Sequence, residues 1–344
     1  MKEQALVKWL IAIAFVAVFA GLTHANIRQF PIGHTSDIYE INRLASLKII
    51  KGMNPYSSPF IIKTADSAYS LHYSYPPAGA LGYSLLASWA DIRWLNFIFA
   101  LFTAFGLLAC ARDERWGMFL AAVFLLNPFT REITSGFTAS NDIVAAGGII
   151  LALLLHERYK LPAAAAVALA CAVSVKQFYF PLALISSVYF WRVDKKSFWC
   201  FTGTIVLIFL PFFITGPREF TQALFGPRVS GSMVAAHFYS PWMFRSPNVY
   251  YLLLPVMGAR AAAVVTLCYL SACVTFLFYL FEKVRQGAAG LGAVIKWFSL
   301  WLIFFLVGLP KFQLSQYWVL VLPGIIAYLC ELPGEPLKKE GKRP

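Results

Sequence analysis

Two acids and four basic residues are the side chains whose positions suggest chemistry in this chain. Asp37 follows Thr35-Ser36 at the head of a run in which Ile38, Ile41, Ala45 and Ile49 recur at helical spacing. A carboxylate held there can serve as general base for a hydroxyl within hydrogen-bond reach. The same position suits a helix N-cap, with Glu40 three residues on as its capping-box partner, and Thr35 or Ser36 could cap instead. The two roles are compatible. Asp142, behind Asn141 at the start of an apolar run, is the second acid. Acids near a membrane are costly and often functional, but a helix dipole also favours an acid at its N-terminus. Lys176, Arg218, Arg228 and Lys311 are the basic residues, suited either to an anionic lipid phosphate or to snorkelling toward head groups. His34, His72 and His237 have no metal-ligand spacing, and no metal is expected.

The elements that must position these residues follow from composition. The chain has 344 residues, 59% hydrophobic and only 13% charged, and the apolar content covers nearly its whole length. That pattern predicts an all-α polytopic membrane protein, and the continuous apolar runs argue against strands. The net charge of +13 lies in short clusters between hydrophobic runs, which is topology and excludes a nucleic-acid footprint. The six cysteines show no Cys-x-x-Cys spacing and read as buried free thiols.

Residues 6–23 form the first apolar segment, and Thr23-His24-Ala25 loosely resembles a signal-peptidase site. The segment 76–90 begins with two prolines. If it rests on the outer surface, spans fall near 93–111, 116–130, 142–156, 161–175, 178–192, 198–215, 261–281, 291–309 and 316–330, making about ten with the first. Every compact basic cluster then falls on the cytoplasmic side: 112–115, 157–160, Arg192 with Lys195-Lys196, Lys283 with Arg285, and the tail 335–344. The predicted organisation is one transmembrane domain over 1–334. An external loop spans 24–92 with an amphipathic helix at 38–51, external juxtamembrane helices accompany it, and a second surface helix is expected at 247–258. Both termini are expected in the cytoplasm.

The run Ser36-Asp37-Ile38-Tyr39, then Gly52-Met53-Asn54-Pro55-Tyr56, then Tyr75-Pro76-Pro77, resembles the first external loop of GT-C glycosyltransferases. It looks most like the polyprenyl-phosphate-mannose-dependent mannosyltransferases of bacteria and the glycosylphosphatidylinositol mannosyltransferases of eukaryotes. Val175-Lys176-Gln177 and Ser315-Gln316-Tyr317-Trp318 agree with it. The resemblance implies a hexosyltransferase of the cell membrane with its site on the outer face. It would take mannose, with inversion, from a polyprenyl-phosphate donor to a glycolipid or polysaccharide acceptor, with no cofactor. Asp37 then matches the catalytic acid, Asp142 a second external acid, and Lys176 a donor-phosphate residue. Arg218, Arg228 and Lys311 join Lys176, and Tyr39, Tyr56, Tyr75, Gln177, His237 and Tyr317 are the candidates for substrate contact. The chain departs from the family in carrying one first-loop acid rather than a pair, and it lacks the large C-terminal soluble domain of the oligosaccharyltransferase branch. A transporter or lipid flippase is the alternative, and a scaffold without chemistry a third class.

Overall fold

The computed structural model describes residues 2–63, 68–111, 114–225, 249–287, 289–308 and 318–331. Fourteen α-helices and one β-hairpin are found among them. The chain opens with α1 (Lys2–Gln29) and α2 (Asp37–Ile50). A hairpin of β1 (Phe60–Lys63) and β2 (Ala68–Leu71) follows, antiparallel with Phe60 opposite Leu71. Next come α3 (Pro77–Ser84), α4 (Arg93–Cys110), α5 (Glu114–Leu126), α6 (Pro128–Ser135), α7 (Asp142–Glu157) and α8 (Pro162–Val173). A single 3-10 turn leads into α9 (Phe180–Val193), then α10 (Lys195–Thr215), α11 (Pro217–Phe225), α12 (Val249–Arg285), α13 (Leu291–Gly308) and α14 (Leu322–Glu331).

Four helical segments are long and apolar enough to cross a membrane: Leu10–Gln29, Arg93–Cys110, Lys195–Thr215 and Arg260–Arg285. Shorter apolar helices cover Arg115–Leu126, Pro162–Val173 and Leu291–Leu306. Large apolar side chains such as Leu207, Ile214, Leu267 and Phe278 face outward on these helices, which suits a lipid environment and would be costly in water.

Three expectations need revision. The run expected to span 116–130 is broken at Asn127-Pro128, where Asn127 caps a new helix by accepting from the Phe129 amide at 2.8 Å. The hairpin was not anticipated; it is held by Phe60 and Ile62, which are buried in one apolar cluster with Ile41, Tyr56 and Phe212. The cysteines were expected as buried free thiols, but Cys110 is disulfide-bonded, and of the free thiols Cys273 is buried, Cys200 half-buried and Cys171 and Cys268 exposed. By contrast, α3 has only eight residues, about 12 Å of rise, and cannot cross a bilayer. The helix beginning at Val249 is broken at Gly258, where φ is 75°.

The centre of the bundle is α7. A helix that is apolar all round must be enclosed by other helices, and from Asp142 to Leu154 only Leu151 escapes full burial. Glycine permits the close approach. A β-carbon on Gly147 would lie 2.5 Å from the Phe99 carbonyl oxygen of α4, and one on Gly148 would lie 2.8 Å from the Ala172 side chain of α8. Gly147→Ala should therefore push α4 and α7 apart. The gain in helix propensity is outweighed, and the expected net loss is about 1–3 kcal/mol, read as a lower unfolding temperature in detergent.

The ends of the helices form two polar layers. At one end, Arg158 bonds to the Ala109 carbonyl, Arg192 reaches the Val284 carbonyl at 3.1 Å, and Tyr189 meets His156 at 3.2 Å. These contacts gather the stretches around 109, 157, 192 and 285, which carry the basic clusters. The opposite end gathers the close of α1, α2, α3, the start of α4, the close of α6, the start of α7 and the close of α8.

Candidate functional site

The candidate acids lie in the second layer, and local geometry decides what each can do. Ser36 caps α2: its hydroxyl accepts from the Tyr39 amide at 3.4 Å and donates to the Thr138 carbonyl at 2.8 Å, while its own amide bonds to the Phe137 carbonyl at 2.8 Å. The loop between α6 and α7 is thereby fastened to the head of α2. Asp37 is consequently the first helical residue and not the cap. Its half-buried carboxylate makes no hydrogen bond or ion pair among the described residues. Glu40 does not close a capping box either. It accepts from the Gly33 amide at 2.8 Å, from the Thr35 hydroxyl at 3.1 Å and from Arg43 at 3.1 Å, and so fixes the turn that enters the helix. Replacing Ser36 by alanine removes one cap bond and the tie to Thr138. The expected loss is about 1–2 kcal/mol, measurable by thermal unfolding.

Four residues after Thr138, Asp142 meets Lys176 at 2.6 Å, and both side chains are almost fully enclosed. Ser140 donates to the other carboxylate oxygen, Lys176 also reaches the Asn141 side-chain oxygen at 3.4 Å, and its ammonium lies 5.2 Å from the centre of the Tyr75 ring. The Asn141 amide nitrogen is buried without a partner among the described residues. The segment 74–78 is strapped across this cluster: the Ala78 amide bonds to the Ser174 carbonyl at 3.2 Å and Gln177 reaches the Ser74 carbonyl at 3.5 Å.

Beside the strap is an aromatic wall. Tyr56 packs against Tyr73 at 5.3 Å, Phe212 at 5.8 Å and Phe220 at 4.8 Å between ring centres, and donates its hydroxyl to the Tyr75 carbonyl at 2.7 Å. Asn54 anchors the same loop to Thr215 at the end of α10, at 2.9 Å.

Of the residues singled out in the sequence, Asp142, Lys176, Tyr75 and Gln177 are brought into one cluster. Asp37 belongs to the adjoining α2 head, joined to that cluster through Ser36 and the loop that ends at Asp142. Tyr75 and Gln177 remain half-exposed, while Tyr39 and Tyr56 are buried within the layer. Arg218 is exposed on α11, whose Phe220 packs on Tyr56. Arg228, His237, Lys311 and Tyr317 lie outside the described residues. No group of three or more His, Cys, Asp or Glu side chains with metal-site geometry occurs among the described residues.

Asp91 and Arg93, where the 76–90 segment gives way to the run from 93, were not singled out in the sequence. They form the most extensive polar junction of the layer. The five N–H bonds of a guanidinium have five acceptors here. Nε and Nη2 donate to the two Asp91 oxygens at 2.9 and 2.7 Å, Nη1 to the Phe30 and Ser135 carbonyls at 2.8 and 3.3 Å, and Nη2 to the Ile27 carbonyl at 3.5 Å. The available signal was an acid and a base two apart in a corner that is not helical, a spacing that permits a bidentate pair.

No protein-family model matches the chain, and neither the curated proteins nor the solved structures include a significant match to it.

Proposed function

We propose that this chain is an integral-membrane glycosyltransferase that moves a hexose, mannose first among the candidates, from a polyprenyl-phosphate donor to a glycolipid or polysaccharide acceptor. The reading includes about ten crossings, the basic clusters in the cytoplasm and the layer that holds Asp37 on the outer face. One observation carries it: Asp37 stands at the head of an amphipathic helix, relieved of capping by Ser36 and with its carboxylate uncommitted among the described residues. At this position the acid still favours the helix dipole, but its oxygens are not taken up by the cap and can accept from a hydroxyl.

In the proposed reaction the donor's isoprenoid chain stays in lipid and its phosphate sits at the membrane surface. Asp37 takes the proton from an acceptor hydroxyl as that oxygen attacks the anomeric carbon, opposite the phosphate. The carbon–oxygen bond to phosphate breaks, its electron pair leaves with the polyprenyl phosphate, and the configuration inverts. Lys176 is committed to Asp142 and Asn141, so its part is to fix the strap beneath Tyr75. Arg218, with Arg228 and Lys311 beyond the described residues, is left to receive the leaving phosphate. The purified chain in lipid nanodiscs, given radiolabelled polyprenyl-phosphate mannose and membrane lipids, should produce labelled product. No transfer from mannose, glucose or galactose donors, together with passage of the labelled carrier lipid across a vesicle bilayer, would replace this reading with a flippase.

A further inference from the structure

The junction around Arg93 does more than close the layer. It holds Tyr39, which is two residues beyond Asp37 and in the same helical turn. The Tyr39 ring packs against the Arg93 guanidinium, 4.8 Å from its central carbon, and its hydroxyl donates to Asp91 at 3.2 Å. The amide of the same residue is held by the Ser36 hydroxyl. Tyr39 is therefore fastened at both ends, by its backbone to the cap and by its side chain to a guanidinium with no spare donor.

The other ties on α2 lie further along it. Asn42 accepts from the Tyr73 hydroxyl at 3.4 Å, and Ser46 donates to the Ala80 carbonyl at 3.0 Å. Successive residues of a helix are ~100° apart around its axis, so any roll of the first turn re-aims its first side chain. Within that turn Glu40 ties α2 to the adjoining entry turn, through Gly33 and Thr35, whereas the Tyr39 hydroxyl and ring reach the corner at Asp91 and Arg93, a separate stretch of the chain. Tyr39 is also 1% exposed, which leaves it no face for a sugar.

We infer that Tyr39 is a positioning residue, clamped by Asp91 and Arg93, that fixes the direction of the Asp37 carboxylate; the catalytic part of this inference rests on the proposed glycosyl transfer. Arg93 brings the carbonyls of α1 and α6 to the same point, so the clamp sets α2 relative to the whole layer. Removing the Tyr39 hydroxyl alone should be mild for folding, because Asp91 keeps both of its bonds to the Arg93 guanidinium and the one to the Arg93 amide.

The test uses the full chain in nanodiscs with polyprenyl-phosphate mannose as donor. Tyr39→Phe should lower kcat about ten- to a hundredfold, with the acceptor KM unchanged. Amide exchange at residues 38–42 should become faster. Asp91→Asn should act on the same contact, so the double variant should be little worse in kcat than the weaker single one. A raised KM at constant kcat would make Tyr39 a substrate contact and overturn the inference, as would unchanged amide exchange with full transfer. If the wild-type chain transfers no sugar while Tyr39→Phe still loosens residues 38–42, the glycosyltransferase reading fails and the clamp on Asp37 stands.

Discussion

Asp37→Asn is expected to lower sugar transfer by about 10²–10⁴-fold, the range that a positioned general base contributes. The substitution keeps the shape of the side chain and removes its ability to take a proton. Because Ser36 and not Asp37 caps α2, the helix start keeps its bonds to Tyr39, Thr138 and Phe137. The structural cost is limited to the acid's favourable interaction with the helix dipole, about 0.3–1 kcal/mol at an exposed site. Activity and stability should therefore separate cleanly, with a collapse in kcat and a nearly constant unfolding temperature. Asp37→Ser tests the same point against a scaffold role, since serine is an excellent helix-start residue and a poor base. Near-wild-type transfer by either variant would end the assignment of Asp37 as the base.

Asp142→Leu should be among the most damaging single changes to folding. It strands the Lys176 ammonium in a site where that side chain is 2% exposed, and breaking a buried pair from one side costs about 3–5 kcal/mol. The reverse change, Lys176→Met, leaves the Asp142 carboxylate with the Ser140 hydroxyl and no counter-charge and should cost a similar amount. Removing both charges together, as Asp142→Leu with Lys176→Met, should recover most of the loss, because two apolar groups of similar volume need no counter-charge. A thermal-unfolding cycle over the four chains measures the coupling directly. If the two single losses instead add in the double variant, the pair has no coupling and the strap over it must be held by other contacts. Transfer by the double variant would further show that Lys176 orders the site without touching phosphate.

Much of the framework was legible because its physics is local. Apolar runs bounded by charges marked α4, α7, α9 and α13 to within a few residues, and the spacing of Ile38, Ile41, Ala45 and Ile49 marked α2. What could not be read were choices between neighbours and pairings across distance. Thr35, Ser36 and Asp37 were equivalent caps until the loop at Thr138 reached Ser36 and selected it. Asp142 and Lys176 could be placed on the same side by the distribution of positive charge, but their pairing depends on how α7 and α8 lie together. The hairpin escaped because Phe60–Lys63 and Ala68–Leu71 are too short for alternation to stand out, and its hold comes from Tyr56 and Phe212 elsewhere in the chain. The five acceptors of Arg93 come from three separate stretches of sequence, so no spacing rule could assemble them.

The brevity of several helices bears on the membrane this protein would prefer. With 12 residues, α8 rises about 18 Å, well short of a hydrocarbon layer about 30 Å thick. If α8 crosses as proposed, the surrounding bilayer must be pinched toward it, while the longer α10 and α12 tilt to fit the same local depth. Such hydrophobic mismatch would draw carrier-lipid head groups down toward the outer layer of the bundle, and lipids with shorter acyl chains would favour that geometry.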